Sequence, residues 1–94
     1  MRTIERSSAF KRDFKKVSLA PRYRKELNGL LAEVLGSLVQ DLPLDESFGD
    51  HGLTGNWAGY RECHMKPDLL LIYSKPDPDT LRLARLGSHS ELFG

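Results

Sequence analysis

The spacing of apolar residues changes period along the chain, and each change marks an element. Arg2-Thr3-Ile4-Glu5-Arg6 is short, carries Thr and Ile, and reads as a first strand. Phe10, Phe14 and Val17 then recur at i, i+4 and i+7, the stripe of an amphipathic helix, with Ser7 or Ser8 placed to cap it. Pro21 suits the first turn of a second helix, in which Leu27, Leu30, Leu31, Val34, Leu35 and Leu38 repeat at helical spacing. Gly29 and Gly36 each cost that helix about 1 kcal/mol against alanine, so tertiary packing must hold it. Leu42-Pro43 ends it, because a residue before proline avoids helical dihedrals. Residues 43–58 form a long connection whose Phe48, Leu53 and Trp57 argue for a packed loop. Strands are expected at Gly59–Met65, Leu69–Tyr73 and Thr80–Leu86, the middle one apolar on both faces and therefore central. Ser88 is placed to cap a final helical turn. The order β-α-α-β-β-β predicts an α+β fold, an antiparallel sheet packed against a helical hairpin, in a single domain spanning 1–94.

Ninety-four residues bury one modest core, and the 39% hydrophobic, 29% charged composition is that of an ordinary globular protein. No apolar run has spanning length and no signal peptide is evident, so no membrane partner and a cytoplasmic location are expected. The single Cys63 forms no internal disulfide and suits a reducing compartment as a small buried hydrophobe. The net charge of +1 conceals an asymmetry. Residues 1–25 hold nine Lys/Arg and two Asp/Glu, net +7, whereas 26–94 hold five and eleven, net −6. Lys11, Arg12, Lys15 and Lys16 fall largely off the first helix's apolar stripe, and Arg22, Arg24 and Lys25 extend the basic end. Such a cluster is either a solvated helix face or a surface for a phosphate backbone.

The candidate chemistry gathers in Asp50–Tyr73 and the C-terminal tail. His51, His64 and His89, with Asp68, all lie near strand ends, and an antiparallel meander would bring these ends to one edge. Histidine titrates near neutrality and serves as acid or base. Several imidazoles, a carboxylate and an arginine suit metal-free RNA cleavage, in which a base takes the 2′-OH proton, a cation steadies the phosphate and an acid protonates the leaving 5′ oxygen. Arg61, Arg82 and Arg85 are candidates for the cation, since guanidinium offers phosphate a two-pronged fork. Trp57 and Phe93 either pack in the core or stack on a base. His51, Cys63, His64, His89 and Asp68 also carry zinc-ligand atoms. Cys63 and His64, however, are strand neighbours pointing to opposite faces, and no CxxC or HExxH spacing is present; no metal or other cofactor is expected.

These residues carry a resemblance. Asp50-His51-x-Leu53-x-Gly55-x-Trp57-x-Gly59-Tyr60-Arg61, His64-x-x-Pro67-Asp68, Leu71-Ile72-Tyr73, Arg85-x-Gly87-x-His89 and Leu92-Phe93-Gly94 resemble the YafQ branch of the RelE/ParE toxin superfamily over nearly the whole chain. The resemblance implies a bacterial type II toxin that enters the ribosomal A site and cuts messenger RNA without a metal, at lysine-type, adenine-rich codons. It implies a cognate antitoxin, DinJ-like or RelB-like, as the inhibitory partner. Carried over by position, His51, His64, Asp68 and His89 would be the catalytic group. Arg85 would steady phosphate, Phe93 would orient the messenger, and the basic helices would meet ribosomal RNA. Glu62 stands where aspartate is expected. Two other readings remain at this stage: a ParE-like binder of DNA gyrase, which has no need of this histidine set, and a catalytically degenerate relative that only binds antitoxin.

Overall fold

The computed structural model describes residues 1–94. The elements are β1 (Thr3–Arg6), α1 (Ser8–Leu19), α2 (Leu27–Val39), β2 (His51–Gly52), β3 (Arg61–Lys66), β4 (Leu69–Ser74), β5 (Thr80–Gly87) and α3 (His89–Phe93). One five-stranded sheet has the order β1-β5-β4-β3-β2. Every residue of β4 is buried, as its unbroken apolar run requires of a strand covered on both faces.

The sheet is mixed, not antiparallel throughout. β1 runs parallel to β5, from Thr3 opposite Thr80 to Arg6 opposite Leu83, while the other pairs are antiparallel. A chain returning through two helices re-enters the sheet in either direction, so strand order alone did not settle the sense of this pair. The long connection also holds an unexpected strand, β2, which extends the sheet by two residues between tight helical turns at Glu46–Phe48 and Gly55–Trp57. Gly49 makes this possible with a left-handed φ of +56°.

Ser7 caps α1, its Oγ accepting from Phe10 N. α2 begins later than expected: Pro21 starts a succession of turns, and regular helix is reached only at Leu27. The two helices bury Phe10, Val17, Leu27, Leu31, Val34 and Leu38 against Cys63, Met65, Leu69, Leu71, Tyr73, Leu81, Leu83 and Leu86 of the sheet. Each such side chain contributes about 1.5–3 kcal/mol on leaving water. The opposite face carries a smaller cluster, Leu70, Ile72, Ala84 and Leu92, flanked by Leu53, Trp57 and Tyr60. Leu92 is the one apolar anchor of α3, whose first turn is closed by a reciprocal Ser88–Glu91 capping box.

Candidate active site

β3 alternates about its own axis. Cys63 and Met65 go into the helical core, and Glu62 and His64 therefore face the other way. His51 lies directly opposite Glu62 on β2, and directly opposed residues share a face. The consequence is a compact cluster. Glu62 Oε1 sits 3.1 Å from His64 Nε2, which donates to it, and 3.3 Å from His51 Nε2. The imidazoles lie nearly parallel, 6.2 Å apart. His51 Nδ1 donates to the Gly49 carbonyl at 2.8 Å, which fixes the ring and turns Nε2 toward Glu62. Glu62 is only 4% exposed, and its Oε2 is buried without a hydrogen-bond partner.

Asp50 secures the loop before His51. Its carboxylate accepts from Tyr73 Oη at 2.5 Å and from Arg61 Nε and Nη2, both at 3.3 Å. Burial and this carboxylate push the Tyr73 phenol up, so the hydroxyl remains a donor. Burial likewise pushes the Cys63 thiol up to about 12, as expected of a packing residue and not a ligand or nucleophile.

Asp68 and His89 form a second pair. Asp68 lies in the β3–β4 turn, and its Oδ1 accepts from the backbone N–H of His89 at 3.0 Å, holding the start of α3. One helical turn on, Phe93 stacks obliquely on His89, with ring centroids 5.0 Å apart. The sheet register relates the two pairs: Leu70 lies between His64 on one side and Gly87 on the other. Strands spaced about 4.8 Å apart therefore set the backbones of His64 and Gly87 roughly 10 Å apart on one face, with His89 two residues beyond. His64 and the strand end that leads to His89 thus flank Leu70 from opposite sides.

The three candidate arginines are all paired. Arg61 holds Asp50, Arg82 holds Glu5 of β1 at 2.7 Å, and Arg85 holds Asp13 of α1 at 2.7 Å. Arg85 shares the histidine face, because the register runs Arg85–Ile72–Glu62–His51 across four strands. Trp57 is half-buried beside the smaller cluster and meets Tyr60 edge-on at 5.2 Å. Lys11, Arg12, Lys15, Lys16, Arg22, Arg24 and Lys25 are all exposed, and of these only Lys16 has an ion-pair partner, Glu91. Sequence reasoning noted Glu62 only as standing where aspartate is expected and gave it no role, and it did not single out Asp13. The signal for Glu62 was its place two residues before His64 on an alternating strand.

Comparison with known proteins decides the family. The family model described as "Bacterial toxin of type II toxin-antitoxin system, YafQ" matches residues 2–94. The chain belongs to the YafQ toxin family. It is 40% identical over 93 residues to the mRNA interferase toxin YafQ of Escherichia coli K12, covering 99% of this chain and 97% of that one. Among solved structures, a metal-bound toxin from Helicobacter pylori is similar with a TM-score of 0.85 and 47% identity, over 99% of this chain and 100% of the other. YafQ in the E. coli DinJ–YafQ complex is similar with a TM-score of 0.81 and 40% identity, over the full length of both. The fold found here is thus that of YafQ-family toxins.

The metal in the H. pylori relative invites a test of this site. His51, Glu62 and His64 offer three ligand atoms within 4.8 Å of one another, and the unpartnered Glu62 Oε2 is available beside them. The set fits a borderline divalent cation with an open coordination position, held by these three residues. Bound there, a cation would supply Lewis-acid polarisation of a phosphoryl oxygen.

Proposed function

We propose that this YafQ-family chain is a ribosome-dependent endoribonuclease toxin that cleaves messenger RNA in the A site, favouring lysine-type, adenine-rich codons. The reading rests on one observation above the rest: two imidazoles converge through Nε2 on a single buried carboxylate oxygen. Cleavage needs the 2′-OH deprotonated as its oxygen attacks phosphorus, and the 5′ oxygen protonated as it leaves. The products are a cyclic phosphate and a free 5′ hydroxyl. His51, His64 and His89 are the groups that move those protons; Glu62 orients the first two, and Asp68 anchors the helix start that carries the third. Arg85 neutralises charge on the phosphate, Phe93 and Trp57 meet bases, and Arg61 holds the His51 loop through Asp50.

The seven exposed cations of α1 and the following turns serve as the ribosomal RNA surface, where contacts to phosphate release counterions. The partners are therefore the ribosome with its messenger and a cognate DinJ-like antitoxin, and the setting is the cytoplasm. No helix is long and apolar enough to cross a membrane. The reaction is metal-free in this reading. The test is messenger cleavage on programmed ribosomes at constant magnesium with a chelator selective for transition metals, comparing wild type with His89→Ala. Cleavage by wild type alone supports the reading. Chelator-sensitive cleavage sinks its metal-free part, and no cleavage by folded, antitoxin-free wild type sinks the whole.

A further inference from the structure

Asp13 of α1 has no role in the reading above, yet its carboxylate accepts three N–H groups. Arg85 donates from Nε at 2.7 Å and from Nη2 at 3.2 Å, and the Leu86 backbone donates at 3.0 Å. The backbone explains why a carboxylate is needed here. β1 pairs with β5 only as far as Leu83; Ser7 Oγ then donates to the Ala84 carbonyl, and β5 continues with β4 on one side and no strand on the other. Leu86 N–H points out of that open edge, and Asp13 satisfies it. Ala84 is an extra residue in the β4–β5 register, and such a bulge re-aims its neighbours. Arg85 follows it at once.

We propose that Asp13 is a positioning residue that aims the Arg85 guanidinium at the phosphate undergoing cleavage; the proposal rests on the ribonuclease reading. Two of the five guanidinium N–H groups are taken by the carboxylate, and three remain for phosphate oxygens. A free arginine would lose rotamer freedom on meeting the phosphate, whereas the clamp has fixed the planar fork beforehand. The clamp is itself fixed, since Leu86 N–H holds the carboxylate to the strand that carries Arg85. The pair is well shielded, with the Asp13 side chain 16% exposed. Asp13 also keeps Arg85 protonated, raising its already high pKa.

The experiment is a double-mutant cycle, with cleavage on programmed ribosomes measured for wild type, Asp13→Asn, Arg85→Ala and the double variant. Asparagine keeps an oxygen for Leu86 N–H and loses the charge and the second prong. Asp13→Asn is expected to lower kcat about tenfold to a hundredfold, the scale of misplacing a reacting group, while KM stays near wild type because the ribosomal surface is untouched. In the Arg85→Ala background Asp13→Asn is expected to change nothing further. The Arg85 Nη2–H group, bonded to the oxygen that asparagine lacks, is expected to exchange slowly in wild type and fast in Asp13→Asn, and that measurement stands whether or not the variant is less stable. Wild-type activity in Asp13→Asn, an equal loss in the Arg85→Ala background, or unchanged exchange at Nη2–H would overturn the assignment alone. A folded wild type without cleavage would overturn the ribonuclease reading as well.

Discussion

Leu92→Ala separates the stability of α3 from that of the rest of the chain. Five residues are far too few to stand as an isolated helix. Ordering them costs about 1–2 kcal/mol each in backbone freedom. Against that stand the helical hydrogen bonds, the Ser88–Glu91 box, the Asp68 bond to His89 N–H, and Leu92, 7% exposed among Leu70, Ile72 and Ala84. The cap is worth about 1 kcal/mol; truncating a buried leucine costs about 2–5. At tenfold per 1.4 kcal/mol, even the smaller loss lowers the docked-to-undocked ratio about 30-fold, and the polar ties cannot restore it. The larger core under α1 and α2 does not include Leu92 and stays folded. Cleavage is therefore expected to fall with the docked population, by up to about 30-fold, with a global melting temperature lowered far less than a full core truncation would lower it. Amide exchange reads the cause: Leu92 and Gly94 N–H, bonded to Ser88 and Ser90 carbonyls, lose protection while β4 keeps its own. Wild-type cleavage, or exchange accelerated uniformly through β4, would refute this account.

Other outcomes follow from the same structure. Glu91 is held at about 2, below its ordinary 4.5, first by the Lys16 ammonium and then by the Ser88 cap. Its contribution is present above about pH 4.5 and lost as pH falls toward 2, so melts of wild type and Glu91→Gln should differ above that window and converge at its acid end. Gly29→Ala should stabilise by about 1 kcal/mol, since an exposed helix interior with nothing within 4 Å accepts the methyl freely; Gly49→Ala should destabilise by about 1–2, because φ is +56° there, and denaturant titration checks both. Tyr73→Phe removes one donor from Asp50 and should cost about 1.5–3 kcal/mol by the same method. It should also lower cleavage by loosening the loop that carries His51.

What the sequence displayed was whatever repeats or packs locally. The helical stripes of Phe10–Val17 and Leu27–Leu38, the central β4, the Ser88 cap and the burial of Cys63 all follow from period and composition. The parallel sense of β1 depends on a partner 77 positions away, Thr80 opposite Thr3, and nothing local encodes it. β2 is two residues long, His51–Gly52, too short to show any period. Among the site residues, the histidines were conspicuous because imidazole is rare and titrates near neutrality. Glu62 and Asp13 were not, because a carboxylate among thirteen acidic residues stands out only once the fold shows what it touches.

The pairing of β1 with β5 has a consequence for how the toxin is made. The first strand emerges from the synthesising ribosome with its hydrogen-bonding edge unmatched, and its partner is among the last segments to be translated. His89 and Phe93 follow β5 and are made later still. The sheet that carries the candidate site cannot close until β5 has been made. Until then β1 presents an open edge, and the pairing that closes it spans more of the sequence than any other in the sheet.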